Sequence, residues 1–210
     1  MKTTVAVLGA DGRSGQECVK ALLAAGYAVQ AGVHSGQLPD HDHLTQQRCD
    51  VMNEAEVRSL VQGADVVVSL IGHGKNSPED LQTTAMRNCI KALEDTPSVR
   101  LISLTGTGVR MPADKPTLID RILNISIKLI DPNRIIDGIE HAKVLQSSSL
   151  DWTILRVLKL TDGKHVGQPI LTSGGPAELF TPRSRVAASI VQILKDDSYH
   201  RAAPIISGTE

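Results

Sequence analysis

The strongest chemical signal in this chain lies in seven residues, Gly9-Ala10-Asp11-Gly12-Arg13-Ser14-Gly15. Gly9 permits a tight turn, Gly12 leaves the backbone bare where a phosphate must approach, and Gly15 lets a helix press against the preceding strand. Amides at the start of a helix lack acceptors of their own, and the helix dipole favours an anion beside them. A loop of this spacing can cradle a pyrophosphate, with Ser14 among the cradling residues. Asp11 would repel that group if it pointed inward, so it is expected to cap the helix instead.

Other residues could move protons. Ser103, Thr105 and Thr107 alternate along one run and so share a face of a strand. Glu140, His141 and Lys143 cluster on a later helical stretch. His141 there is a candidate proton donor, against the plainer reading of a histidine on a helix surface, and Lys143 is a candidate contact to cofactor or substrate. His73 follows an apolar run and is placed to border a bound dinucleotide. His41-Asp42-His43 sets two imidazoles close together, but no third ligand is near and Pro39-Asp40 marks an exposed loop. No metal is expected there.

Such side chains need a scaffold. Short β-branched runs alternate with helical stretches, the pattern of parallel strands joined by crossover helices. Strands are expected over 3–8, 27–33, 46–51, 64–71, 99–105, 151–155 and 204–207. Helices are expected over 17–25, 54–62, 78–94, 118–148 with a break near Asp131-Pro132, and 184–195. The run from Ala64 to Ile71 is apolar throughout, as in a strand covered on both faces. A looser segment at 159–182, rich in glycine and proline, is too short for a domain and could form a substrate-facing lobe. The whole chain, 1–210, reads as one α/β domain with a sizeable core.

Composition narrows the partners. A formal net charge of −1 and only one Phe, one Trp and two Tyr offer neither a basic footprint nor stacking side chains for nucleic acid. Cys18, Cys49 and Cys89 stand far apart and are expected as reduced core thiols. The first residues read as a strand rather than a leader, and no apolar run approaches the roughly 20 residues that cross a bilayer. A cytoplasmic protein acting on a small molecule, as a monomer or homodimer without a membrane partner, is the expectation.

The spacing Gly-x-x-Gly-x-x-Gly resembles that of the atypical short-chain dehydrogenase/reductases, in particular the small NAD(P)H-binding, NmrA-like group. Cys49-Asp50-Val51 is similar to the family's Gly-Asp-Val, in which Asp50 and Val51 would border the adenine. Gly63-Ala64-Asp65-Val66-Val67-Val68-Ser69-Leu70-Ile71-Gly72 looks like the family's fourth strand, whose end, here Leu70, Ile71 and Gly72, lies along the cofactor ribose. Leu150-Asp151-Trp152-Thr153-Ile154-Leu155-Arg156 is similar to Leu-x-Tyr/Trp-Thr-Ile-x-Arg-Pro, with Val157 in place of the proline. Thr181 to Ala187 is similar to a Ser/Thr-Arg-x-Asp-Val-Ala stretch. The resemblance covers nearly the whole chain, and the length suits the small flavin and biliverdin reductases. It implies a Rossmann-like doubly wound parallel sheet and a bound nicotinamide cofactor. It also places Thr105 where the family has a Ser or Thr near the nicotinamide, a candidate for catalysis.

A site for NAD usually ends its second strand with an acid that grips the ribose 2′-hydroxyl. Here that region reads Gly32-Val33-His34-Ser35, with no acid, and His34 and Ser35 would border the ribose. Arg13, projecting from the loop toward the same region, could pair with a 2′-phosphate. NADP(H) is therefore expected first and NAD(H) second, although this group typically carries an Arg near His34. Reductases of the wider superfamily use Tyr-x-x-x-Lys to supply a proton. Tyr27 is followed four residues later by Ala31 and Tyr199 by Ala203, while Pro132 and Ile136 stand at the family's place for the pair. Direct hydride transfer to a flavin, quinone or similar conjugated acceptor is thus favoured over a simple ketone, whose alkoxide needs a donor. The rival reading is a regulator that senses the dinucleotide and binds a protein partner without turnover. Finally, apolar groups cover most of the circumference of 118–130, which predicts burial against the domain body, a pocket wall or a second subunit.

Overall fold

In a computed structural model, which describes residues 2–74, 76–96 and 98–209, the β-branched runs become ten strands. They are β1 (Thr4–Leu8), β2 (Ala28–Val33), β3 (Leu44–Arg48), β4 (Val66–Ser69), β5 (Arg100–Gly106), β6 (Asp151–Val157), β7 (Leu160–Thr161), β8 (Pro169–Thr172), β9 (Thr181–Pro182) and β10 (Ile205–Thr209). Six helices separate them: α1 (Arg13–Ala24), α2 (Glu54–Val61), α3 (Leu81–Ala92), α4 (Leu118–Ile130), α5 (Pro132–Ser147) and α6 (Arg183–Lys195). Eight strands form one sheet in the order β3-β2-β1-β4-β5-β6-β10-β8, parallel except for β8, which runs antiparallel to β10.

Alternation along β1 divides the core in two. Val5 and Val7 point to one face and pack with Cys18 and Leu22 of α1 and Ile190 and Ile193 of α6. Ala6 and Leu8 point to the other, against Leu60 of α2, Met86 of α3 and Leu145 of α5. This is the Rossmann-like doubly wound α/β arrangement that the family resemblance implied. All three cysteines are buried and unpaired. Among the described residues no helix is long and apolar enough to cross a membrane.

Several boundaries move. The third strand lies at 44–48 rather than 46–51, because Cys49 and Val51 bury themselves in the second core from the turn that follows it. The first helix starts at Arg13, directly out of the glycine loop, rather than at Glu17. The segment 159–182 carries more structure than its glycines suggested: β8 extends the main sheet, and β7 pairs with β9 in a small parallel sheet.

Of the covers expected for the stretch 118–130, the domain body does not reach one face of it. Its helix α4 holds Leu118, Ile119, Ile122, Ile125 and Leu129 out to solvent, Leu129 at 80 % exposure. Among the described residues, Asp120, Leu123 and Asn124 lie on its less exposed side. Asp120, 3 % exposed, accepts from Thr107 Oγ1 at 2.9 Å, from Asn124 Nδ2 at 2.9 Å and from Arg110 Nη1 at 2.6 Å. A buried carboxylate with its bonds satisfied anchors the first turn of this helix to the domain.

Candidate functional site

The chain winds outward from β1 through β2 to β3 and then crosses back to β4 on the other side of β1, so the sheet has its topological switch point between β1 and β4 and a crevice opens beyond the strand ends. The glycine loop enters that crevice. Gly9 adopts φ +72°, and a Cβ on it would lie 2.9 Å from Ile71 Cδ1. On Gly12 a Cβ would lie 3.2 Å from the Gly9 carbonyl oxygen, and on Gly15 only 2.1 Å from it and 2.7 Å from Ala10 Cα. The loop tolerates no side chain at the last position because helix and strand backbones touch there. Gly12 is the N-cap residue of α1 and supplies no side-chain cap, and no acid lies in the first turn. Gln16 N is bonded to Gly12 O at 2.9 Å, which leaves the amides of Arg13, Ser14 and Gly15 as the helix's open donors. Bare backbone, open amides and a dipole end make a cradle that fits a pyrophosphate.

Asp11 is not the helix cap. Its Oδ2 reaches across to the end of β2 and accepts the backbone N–H of His34 at 3.1 Å, Ser35 at 3.0 Å and Gly36 at 2.8 Å. Burial pushes this carboxyl's pKa up, but the amides of Ser35, Gly36 and His34 outweigh it and hold the group below its usual range. An acid absent from β2 in the sequence is thus delivered there from the loop of β1. Arg13 takes another direction than expected: its Nη1 lies 3.7 Å from Asp162 in an exposed pair, and Asp162 also receives Arg183 Nη1 at 2.5 Å. These contacts tie the glycine loop to the 159–182 segment.

Beyond β3, Asp50 Oδ1 accepts Met52 N at 3.0 Å, and the Val51 carbonyl accepts Asn88 Nδ2 at 2.8 Å, which sets that turn beside α3. Leu70 and Ile71 continue β4 past its end and lie against Gly9, while Gln82 Nε2 donates to Ile71 O at 2.7 Å. Next in line, His73 Nε2 meets Asp137 Oδ2 at 2.8 Å. Asp137, on α5, also accepts Gln82 N at 2.8 Å, Thr83 N at 2.9 Å and Thr83 Oγ1 at 2.5 Å. It therefore caps α3 from a neighbouring helix. Its neighbour Gly138 packs on Thr105: a Cβ there would sit 3.0 Å from Thr105 Oγ1. Thr105 is 6 % exposed at the end of β5, and Val157 closes β6 beside it, its carbonyl accepting Thr107 N at 2.9 Å.

Two expected residues lie elsewhere. His141 is not on the helix surface; its side chain is buried, with Nε2 at 3.0 Å from Ser103 Oγ and Nδ1 without a partner. Burial pushes its pKa down to about 4, against a smaller upward pull from Asp137, so the ring is neutral and packs behind β5. Lys143 is exposed on the outer side of α5 and pairs with Glu140 at 2.7 Å, away from the strand ends. Neither tyrosine enters the crevice: Tyr27 packs on the first core and Tyr199 Oη donates to Leu171 O at 3.1 Å. The residue that sequence reasoning missed is Asp137. The signal was present, since an acid four residues before His141 falls on the stripe of α5 that also holds Gly138, Ala142 and Leu145.

Comparison with known proteins agrees with this geometry. The sequence profile of an NAD(P)H-binding family matches residues 9–197. A short-chain dehydrogenase/reductase from Veillonella parvula DSM 2008, solved in complex with NADP, is 20 % identical over 99 % of this chain and 95 % of its own, with a TM-score of 0.79. A putative NADH-flavin reductase from Streptococcus pneumoniae TIGR4 is 17 % identical over 99 % and 100 %, with a TM-score of 0.77. An anaerobillin reductase from Escherichia coli O157:H7 is 20 % identical over 97 % of each chain, with a TM-score of 0.75. At these identities the likeness is one of fold. No curated protein matches the sequence.

Proposed function

The chain belongs to the NAD(P)H-binding family, and from that premise we propose that it is an oxidoreductase that passes hydride from the nicotinamide directly to a flavin, quinone or similar conjugated acceptor. The observation that carries this reading is the open-amide glycine cradle at the sheet's switch point, with Thr105 at the neighbouring strand end. When bound, the cofactor supplies the hydride. The chain's own residues do the rest: Gly9, Gly12, Ser14 and Gly15 hold the pyrophosphate, Asp50 and Val51 border the adenine, and Leu70, Ile71, Gly72 and His73 line the path to the nicotinamide. Thr105 and Val157 flank its far end, and the small molecule enters over the 159–182 segment. The setting is cytoplasmic.

NADP(H) is the first cofactor, with Arg13 swinging from the exposed Asp162 pair to a 2′-phosphate. One observation favours NAD(H): the Asp11 carboxylate occupies the three amides at the end of β2 and sets a negative charge where that phosphate would lie. Another favours the non-catalytic sensor, since no tyrosine reaches the strand ends.

The purified protein, mixed with NADPH or NADH and then with FMN, riboflavin, a quinone or biliverdin, separates these readings. Loss of nicotinamide absorbance with any acceptor establishes the reductase. Tight binding without turnover establishes the sensor. Arg13→Ala is expected to weaken NADPH about tenfold more than NADH; equal losses, or none, would remove Arg13 from the phosphate site.

A further inference from the structure

This chain builds a histidine–aspartate pair from two distant segments. His73 stands four residues past the end of β4, and Asp137 lies in the second turn of α5. Their 2.8 Å contact is almost wholly covered, with side-chain exposures of 8 % and 1 %. Three further donors, Gln82 N, Thr83 N and Thr83 Oγ1, converge on the same carboxyl group. A carboxyl bonded by two backbone N–H groups and a hydroxyl acts as an acceptor, so Asp137 is an ionised carboxylate. His73 Nε2 must then carry the hydrogen in that contact. The tautomer is thereby set, and Nδ1 becomes the ring atom left to exchange a proton. Nδ1 has no partner among the described residues and is not among the buried atoms left unpaired.

The pair also lies at the right strand ends. Gly138, next to Asp137, carries no side chain where Thr105 Oγ1 and Gln82 Oε1 close in, at 3.0 and 3.8 Å from the position of a Cβ. His73, Gln82 and Thr105 are thus drawn around one turn of α5, beside the loop of Ile71 that touches Gly9. An imidazole held by a carboxylate in this way is poised to pass protons, because the carboxylate fixes the orientation and tautomer of the ring.

We infer that His73 is the proton donor of this site and that Asp137 is its positioning residue, which makes the acceptor one that develops a negative oxygen, a quinone before a flavin. This rests on the reductase reading above. Two electrons and a hydrogen reach the quinone as hydride, and the cofactor leaves oxidised. The resulting hydroquinone anion carries the charge on oxygen. There the Nδ1–H bond of imidazolium His73 breaks, an O–H bond forms, and His73 recovers its proton from water.

The test joins a spectroscopic readout to a kinetic one, on the full chain. In ¹⁵N NMR with selective histidine labelling, His73 of the wild type is expected in the Nε2–H tautomer. In Asp137→Asn that preference should be lost. NADPH oxidation with a benzoquinone should fall about a hundredfold in His73→Ala, and added imidazole should restore part of the rate. Asp137 also caps α3, so NADPH affinity reports whether Asp137→Asn is folded; if it is not, His73→Ala with rescue decides alone. A wild type that turns over no acceptor sinks the reductase reading and this role together. A wild type that turns over while His73→Ala keeps its rate within threefold, or an Nδ1–H tautomer, overturns the role of His73 and leaves the reductase standing.

Discussion

Acid should strip stability from this protein through His141. The side chain is 2 % exposed, one ring nitrogen rests on Ser103, and the other is buried without a partner. Burial pushes its pKa down from 6.5 to about 4, Asp137 opposing. The folded chain keeps the ring neutral while the unfolded chain protonates it, so between those two values the unfolded state binds more protons. The sign follows: this contribution is fully present above the unfolded pKa and is lost as pH falls from there toward the folded one. A gap of this size is worth about 3 kcal/mol in all, of which about 2 kcal/mol disappears between pH 7 and pH 5. Urea unfolding followed on Trp152, the chain's one tryptophan, measures the loss at both pH values. The reference is His141→Gln, which keeps a polar partner for Ser103 and does not titrate. Other groups titrate alike in both proteins and cancel, including His200, whose pKa is raised by its bond to Asp151. The wild type is expected to lose about 2 kcal/mol more than the variant. Equal losses would mean that the imidazole is protonated or hydrated in place, and the argument from burial would be wrong.

Gly15→Ala sets a methyl group against the Gly9 carbonyl and Ala10 Cα, both backbone, so the loop must shift. NADPH affinity, measured by fluorescence titration, should fall at least about tenfold; an unchanged affinity would show that the loop is not the cradle. On α4, Leu129→Lys changes a side chain already 80 % exposed and should alter urea stability by no more than about 0.5 kcal/mol. A loss several times larger would mean that this face is covered in solution.

What the sequence by itself determined is what short-range geometry controls. The glycine spacing, the apolar runs of β1 and β4 and the break at Asp131-Pro132 each act within a few residues, so the cradle, the strands and the fold class were legible. The closed environment of Cys18, Cys49 and Cys89 was equally readable, because a thiol amid apolar neighbours buries with them. The partners of the polar side chains were not. Asp11 looked like a cap because helix caps are local, yet its carboxylate serves amides 23 to 25 residues away. His73 and Asp137 are 64 residues apart and meet only because α5 packs against α3 above the ends of β4 and β5. His141 read as a surface histidine until the register of α5 turned it inward behind Ser103. In α4 the composition told that an apolar face needs a cover, but not that the domain body leaves it bare: Asp120, bonded to Thr107 and Arg110, faces the domain, and Leu118, Ile122, Ile125 and Leu129 face away. A buried charge must find its partners wherever the chain brings them, and that requirement is met in three dimensions, not along the sequence.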